Sequence, residues 1–307
     1  MASEHTDRSP QSLPSLPVDP MIGLLAGLVR APEVDLSRGL GPRVVPGARL
    51  GRFVLAHELG SGRSGTVYEA LDLERERPVA LKVLAPSPAG VPRGAAWAQR
   101  EAADFKRLDH PNIVALHGVG TSPSGAYLVF EFLRGRTLRR RLEEGSLDLD
   151  GALRVAGGVA RALAHAHAVG VVHRGLTAAK VFLCDDGAVK VLAFSPGRRL
   201  PSNGEAGSAP EVSPEQQAGW PGDERSDLYA LTSMLQRMIV SSAGAGRPPH
   251  PGGGALPRRL RRLLAAGLAP DPIGRPQSAA EWLQELVAVR SGLGRRWPWR
   301  GLSSSLI

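Results

Sequence analysis

The chain has 307 residues, of which 42% are hydrophobic, and its formal net charge is +9. That length with that apolar content allows the core of one large domain or of two small ones. The single cysteine, Cys184, excludes an intramolecular disulfide and a cysteine-based zinc cluster.

Arginine supplies most of the positive charge, because lysine occurs only at positions 82, 106, 180 and 190. A basic chain can bind nucleic acid or an anionic membrane surface. Here the arginines are scattered along the sequence and no recognised nucleic-acid module is present, so no nucleic-acid partner is predicted. The bias toward arginine, glycine and proline is typical of a GC-rich bacterial genome.

Residues 1–48 are predicted to form a disordered arm, since proline, serine and glycine recur there with little periodic hydrophobicity. The apolar run at residues 21–29 is too short to cross a bilayer, and the chain begins without the basic region of a signal peptide. No later segment is better suited to span a membrane. These features predict a cytoplasmic protein without a transmembrane segment.

From residue 49 the apolar residues alternate as they do in strands. Two strands flank Gly60-Ser61-Gly62-Arg63-Ser64-Gly65, and a third contains Val79-Ala80-Leu81-Lys82. Glycines allow backbone amides to approach phosphate oxygens, and the ammonium of Lys82 would add a point charge to the same phosphates. A tight hairpin can have the same glycine spacing, but the order of strands favours a phosphate-binding loop.

Helical spacing of apolar residues predicts helices at residues 95–108, 138–142 and 153–169, and later at 258–268 and 279–289. His165 and His167 lie two apart on one of these helices, so their side chains point to different faces and cannot share a metal. They are interpreted as structural histidines.

Residues 172–195 contain His173-Arg174-Gly175-Leu176, then Lys180, then Ala193-Phe194-Ser195. This stretch resembles the catalytic and metal-binding loops of the bacterial serine/threonine protein kinases, whose pattern is H-R-D-L-x-x-x-N followed by D-F-G. Gly175 stands at the position of the catalytic-base aspartate, Lys180 at that of the metal-binding asparagine, and Ala193 at that of the magnesium-binding aspartate. The chain is therefore identified as a degenerate member of the family, a pseudokinase.

The resemblance extends over residues 53–289 and implies a two-lobed α+β fold of the protein kinase type. A small β-rich lobe is expected at residues 49–133 and a larger helical lobe at 134–290. A basic aromatic tail, residues 291–307, would follow the domain.

The resemblance also implies a nucleotide site between the lobes. Val67 and Ala80 would form the apolar roof over an adenine ring, and the backbone from Glu131 to Leu133 would hydrogen-bond its edge. Phe182, where the family has leucine, would either stack on the ring or fill its place. The implied nucleotide-binding residues are Gly60, Gly62, Gly65, Val67, Ala80, Lys82, Glu101, Glu131, Leu133 and Phe182, with Lys82 and Glu101 forming an ion pair across a spacing of 19 residues.

Further residues are implied to hold the fold together. Asp227 would anchor the catalytic-loop backbone, and Arg275 would pair with Glu215. The family's substrate-docking helix should fall between these elements, where Pro251-Gly252-Gly253-Gly254 does not favour a helix. A line of packed side chains would join the lobes: Leu116, Phe105, Phe194, His173 and Asp227.

The leading interpretation is a regulatory or scaffolding module in bacterial signalling whose partner is a protein, such as an active kinase. It would bind ATP, if at all, without Mg²⁺. Two alternatives stay open: an atypical serine/threonine kinase or nucleotidyl transferase that uses other acids, such as Asp185 or Asp186, and a purely structural domain with a closed pocket.

Overall fold

The computed structural model describes residues 47–62, 64–85, 94–122, 125–145, 147–194, 210–240 and 256–294, without the side chains of Glu101, Asp104, Val240 and Gly294. Most of the predicted arm, most of the predicted tail and the region of the missing substrate helix lie outside these residues. Among the helices in the described ranges, none is both long enough and apolar enough to span a bilayer.

The first half of the described chain forms a six-stranded antiparallel sheet with the order β1-β2-β3-β4-β6-β5. On β4, alternation directs Val79, Leu81 and Val83 into one cluster on one face of the sheet. Ala80, on the opposite face, packs against the main core of the molecule. The strands are β1 Arg49–Leu50, β2 Phe53–Gly62, β3 Gly65–Asp72, β4 Arg77–Leu84, β5 Leu116–Ser122 and β6 Gly125–Glu131.

Helix α1, Ala95–Phe105, packs against β5 and β6. Its buried residues Ala98, Ala102 and Phe105 are spaced by four and three, which places them on one helical face. The Phe105 ring meets the Phe130 ring edge-on, with 5.1 Å between the centroids. The predicted helix at residues 95–108 therefore exists and ends three residues earlier than predicted.

The second half of the chain is mainly helical and contains a small sheet with the order β7-β8-β9. Short 3₁₀ helices occupy Ala178–Lys180 and Pro272–Gly274. The strands are β7 Gly135–Thr137, β8 Val181–Cys184 and β9 Val189–Val191, and the helices are α2 Leu138–Glu143, α3 Leu149–Ala168, α4 Pro214–Gln217, α5 Glu224–Val240, α6 Arg258–Gly267 and α7 Ala279–Gly294.

Helix α3 is the centre of this lobe and packs against α5, α7 and β9. Its N-terminus is capped by Asp148, whose Oδ1 accepts a hydrogen bond from the Gly151 amide at 2.7 Å. A Cβ at Gly158 would lie 2.8 Å from the Val189 Cβ. The missing side chain at Gly158 thus allows β9, which leads to Ala193, to lie directly on the helix.

Two predicted boundaries differ slightly from the described structure. Residues 47 and 48 already hydrogen-bond to Leu55 of β2, although the arm was predicted to reach residue 48. Helix α7 continues through Gly294, four residues into the range predicted as tail. Both differences are at element ends, where local patterns are least informative.

Candidate nucleotide-binding site

Asp227 of α5 anchors the loop that precedes Gly175. Its Oδ2 accepts a hydrogen bond from the His173 amide and its Oδ1 one from the Arg174 amide, both at 2.8 Å. His167 Nε2 lies 3.0 Å from the same carboxylate. The predicted anchoring role of Asp227 is confirmed, and the structural interpretation of His167 gains a specific partner.

His173 and Phe194 pack together in the interior, with 4.8 Å between ring centroids. Phe194 is fully buried and belongs to the same core as Phe105, while Leu116 is partly buried against that core. One contact of the predicted line of packed side chains, that between His173 and Phe194, is therefore confirmed. Burial, and then the nearby charge of Lys180, lower the pKa of His173 to about 4. His173 is consequently neutral at pH 7.

The three degenerate positions lie close together around this aromatic contact. Gly175 follows His173 by two residues, and its amide lies 3.3 Å from His173 Nδ1. The Lys180 carbonyl accepts a hydrogen bond from the amide of Leu192, the residue before Ala193. Lys180 is partly buried, and its charge acts on His173. The structure therefore brings a glycine, a lysine and an alanine to the place where the family resemblance implies two acids and an amide.

These side chains do not fit a magnesium ion. Mg²⁺ requires oxygen ligands in near-octahedral geometry, and Gly175, Lys180 and Ala193 offer no side-chain oxygen. In the parts of the chain with described side chains, no group of three or more histidine, cysteine, aspartate or glutamate residues could hold a metal. A positive ammonium at Lys180 would also repel a cation.

The glycines at the β2–β3 turn divide into two kinds. Gly65 has φ +137°, and a Cβ there would lie 1.9 Å from the Val83 carbonyl oxygen, so the fold itself requires glycine. Gly60 and Gly62 are different, because a Cβ at either would meet no atom within 4 Å. Packing among the described residues therefore does not explain these two glycines, and their predicted role in phosphate binding stays a prediction.

The residues predicted to surround an adenine are divided between the two lobes. Val67 and Ala80 are on adjacent strands of the six-stranded sheet, and Ala80 pairs with Phe130. Phe182 is on β8 of the second lobe, opposite Thr137. All three predicted contacts, Val67, Ala80 and Phe182, are partly rather than fully buried. Each of these apolar side chains therefore keeps some surface accessible to a ligand.

In the segment that joins the lobes, the side chain of one residue is hydrogen-bonded and the backbone of another is not. The Glu131 carboxylate accepts hydrogen bonds from Lys190 Nζ at 2.6 Å and from the Ala115 amide at 2.8 Å. Leu133, two residues later, has backbone groups that bond to no other residue in the described ranges. Its free amide and carbonyl suit recognition of a base edge. The Glu131–Lys190 contact was not predicted.

The proposed ion pair between Lys82 and Glu101 stays a prediction. Lys82 lies on β4, where it pairs in register with Val67 of β3 and Leu128 of β6. The side chain of Glu101 on α1 is outside the described residues.

The segment at residues 210–217 is held firmly to the large lobe. Arg275 donates to both carboxylate oxygens of Glu215 at 2.8 Å, which confirms the predicted pair. The Gln216 side-chain amide also donates to the Arg174 carbonyl at 2.8 Å, and so connects this segment to the loop that carries Gly175. The buried Glu211 accepts a hydrogen bond from Arg237 of α5. The Gln216 and Arg237 contacts had no signal in the sequence.

Replacing Ala193 with glycine is expected to stabilise the protein. Ala193 has φ +57°, a left-handed conformation in which a Cβ is strained. Relief of this strain outweighs the greater unfolded-state entropy of glycine, so the free energy of unfolding in urea should rise by about 0.5 kcal/mol. The matched control is Ala179→Gly at an exposed 3₁₀ position without positive φ, which should lose stability. Equal losses in both variants would contradict the strain at Ala193.

The chain matches the family model of the protein kinase domain over residues 53–249. Serine/threonine-protein kinase PknB of Mycobacterium tuberculosis is 31% identical over 275 residues, which cover 78% of this chain and 43% of PknB. Probable serine/threonine-protein kinase SCO3848 of Streptomyces coelicolor is 34% identical, over 77% of this chain and 37% of that protein. The chain thus spans about two fifths of the length of these relatives.

A solved structure leads to the same family. The crystal structure of the Mycobacterium tuberculosis PknI kinase domain superposes with a TM-score of 0.61 at 25% identity, covering 80% of this chain and 99% of that domain. The predicted fold of a small β-rich lobe followed by a helical lobe is therefore confirmed. The chain belongs to the protein kinase family and is related to the bacterial serine/threonine kinases.

Proposed function

We propose that this kinase-like domain is a pseudokinase that binds ATP without Mg²⁺ and regulates or scaffolds a protein partner in bacterial signalling. One observation carries the proposal. The packing contacts around the loop are in place at His173, Phe194 and Asp227, while the three positions of the family's reaction hold Gly175, Lys180 and Ala193. The fold is preserved around residues that offer neither a general base nor a metal ligand, and this supports binding rather than phosphoryl transfer.

The nucleotide would lie between the two lobes. The open glycines Gly60 and Gly62 would lie over the phosphates, and the free backbone of Leu133 would bind the adenine edge. ATP carries several negative charges that a metal normally offsets. Here Lys82 would supply one positive charge from the small lobe and Lys180 a second from the large lobe.

The position of Lys180 favours this role over a side chain extended into solvent. Lys180 is partly buried, and its charge contributes to the low pKa of the fully buried His173. Its charge therefore acts on His173, two residues before Gly175. A second cation would add repulsion at this site, so ATP binding should not require Mg²⁺.

Thermal unfolding with ATP tests the proposal. At about a hundred times the dissociation constant, ATP should add roughly 2.7 kcal/mol to the free energy of unfolding. We expect the same stabilisation in EDTA and in Mg²⁺, and a smaller one at the same ATP concentration for Lys180→Ala. Lys106→Ala is the matched control, because Lys106 is an exposed lysine just after α1. A strict Mg²⁺ requirement, or equal ATP responses of the two variants, would rule the proposal out.

Regulation of an active kinase is the proposed consequence of binding. The relatives are named serine/threonine kinases, and a kinase fold that cannot react can still occupy a partner's docking surface. Adding the purified chain to an active bacterial serine/threonine kinase should change its rate of substrate phosphorylation. An unchanged rate across candidate kinases, with no detectable complex, would argue for a purely structural domain.

An active atypical serine/threonine kinase is the second candidate. The names of the relatives favour it, as do the glycine-rich turn and Lys82 on β4. It would need another base in place of Gly175. Asp186 is a poor choice, since its carboxylate accepts a hydrogen bond from the Ala188 amide within the β8–β9 turn.

A further inference from the structure

Helix α6 carries a concentrated positive charge on its outer face. Its sequence, RRLRRLLAAG, buries Leu260, Leu263 and Leu264 against the core. The helix contains no acidic residue. The four arginines are exposed: Arg258, Arg259, Arg261 and Arg262. We call these four residues the α6 basic face. The scattered distribution of arginine expected from the sequence does not hold at this helix.

This charge is not neutralised by the protein. Among the described residues, none of the four arginine guanidinium groups makes a hydrogen bond or ion pair. Four other exposed arginines are paired, and exposed arginines of the described ranges without an ion pair, such as Arg75, Arg100 and Arg134, are separated along the sequence. Arg136 and Arg140 pair with Glu144, Arg139 pairs with Glu143, and Arg154 pairs with Asp150. The α6 basic face is therefore a local excess of charge and not simply a sample of an arginine-rich surface.

We propose that the α6 basic face docks the domain on an anionic membrane surface. A row of arginines along a helix provides charge over a flat surface, and a bilayer rich in acidic lipids is complementary to it in charge and shape. The long arginine side chains can keep their guanidinium groups at headgroup depth while the leucines stay in the protein core. Each arginine near such a surface strengthens binding by about five-fold.

The sequence that follows α7 supports a membrane over other anions. Helix α7 packs against α6, and the chain continues from it as Arg295-Arg296-Trp297-Pro298-Trp299-Arg300. Tryptophan is enriched at membrane–water interfaces, and basic residues beside it bind acidic headgroups. An acidic polypeptide would use the arginines but not the tryptophans, and a nucleic acid is left as an outcome of the test. This inference is independent of nucleotide binding and of the pseudokinase proposal.

Vesicle co-sedimentation of the full chain tests the proposal. We expect binding to phosphatidylcholine vesicles containing about 30% phosphatidylglycerol in about 0.1 M NaCl, and loss of binding in about 0.5 M NaCl. Pure phosphatidylcholine should not bind. Changing all four arginines of the α6 basic face to glutamine should weaken binding at least ten-fold. Because these side chains are exposed, the thermal midpoint of the variant should stay close to that of the natural chain.

The matched control removes the same charge elsewhere. Arg136, Arg139, Arg140 and Arg154 are changed together to glutamine, and this variant should keep its vesicle affinity within about three-fold, because those arginines are already neutralised by carboxylates. Equal losses in the two variants would overturn the proposal, since net charge alone would then explain binding. The proposal would also be overturned if deleting residues 295–307 abolished vesicle binding while the α6 variant still bound vesicles. Binding to polyglutamate or duplex DNA but not to vesicles would overturn it too.

Discussion

A triple variant, Gly175→Asp, Lys180→Asn and Ala193→Asp, is expected to transfer phosphate from ATP at least 100-fold faster than the natural chain. The three changes restore a general base, typically worth roughly 10²- to 10⁴-fold, and oxygen ligands for metal, worth several kcal/mol in the transition state. The natural chain should give no measurable transfer to itself or to a generic protein substrate. The structural basis is that the surrounding scaffold is already assembled, with Asp227 holding the loop and Phe194 packed on His173.

Transfer of labelled γ-phosphate in Mg²⁺ measures this effect. Adding Lys82→Ala to the triple variant should abolish the gain, which separates true activity from a contaminating kinase. The pseudokinase proposal fails if the natural chain already transfers phosphate robustly and loses that activity on Lys82→Ala. A triple variant that folds and binds ATP but remains inactive would show that the scaffold had also lost its competence for the reaction.

Replacement of Arg275 with glutamine is expected to lower the free energy of unfolding by about 3 kcal/mol. The Arg275 side chain is fully buried, and it donates two hydrogen bonds to Glu215 and others to the carbonyls of Ala269 and Pro270. Its guanidinium carbon also lies over the Tyr229 ring, 5.0 Å from the ring centroid. Removing one member of such a pair leaves the other charge without compensation in a poorly solvated place, at a cost of roughly 3–5 kcal/mol.

Urea unfolding provides the measurement, with Arg139→Gln as the control. Arg139 pairs with Glu143, and both side chains are about two-thirds exposed, so its loss should cost no more than about 0.5 kcal/mol. If the two variants have the same free energy of unfolding, the Arg275–Glu215 pair does not stabilise the packing of α4 against the loop after α6.

The pair of Arg275 and Glu215 also predicts that the free energy of unfolding depends on pH. Burial alone would raise the pKa of Glu215, but hydrogen bonds from Arg275, Ser226 and Ser213 outweigh it and lower the pKa to about 2. A carboxylate with a depressed pKa stabilises the folded state above its unfolded pKa, near 4.5, and that contribution is lost as the pH falls from about 4.5 to 2. The stability difference between the natural chain and Glu215→Gln should therefore shrink over this window. A constant difference would contradict the depressed pKa.

Local patterns predicted strands and helices, whereas the two-lobed arrangement was implied by the family resemblance. Strand alternation and helical spacing depend on residues a few positions apart, so the β-rich and helical halves could be read in order along the chain. The roles of Asp227 and of Glu215 with Arg275 were also predictable, since the family resemblance places these residues in recognisable motifs, and the hydrogen bonds agree with it.

Local patterns were insufficient wherever two distant segments meet. The Glu131 carboxylate and Lys190 are 59 residues apart, and Gln216 meets the Arg174 carbonyl across 42 residues. No periodicity links such pairs, because their contact depends on how strands and helices of separate segments pack. Backbone conformation can also depend on contacts that no local pattern reveals. The surrounding structure holds Ala193 at a left-handed φ that alanine rarely adopts.

The amino-acid sequence determined which chemical groups are present: an oxygen-free set at Gly175, Lys180 and Ala193, two lysines for an anion, and a chain rich in arginine. These identities do not change on folding. The tertiary structure decided where each charge acts, because electrostatic interactions depend on distance and burial. Only packing could bring Lys180 close enough for its charge to lower the pKa of His173, pair Arg139 and Arg154 with carboxylates, and leave the four arginines of α6 uncompensated on one exposed face.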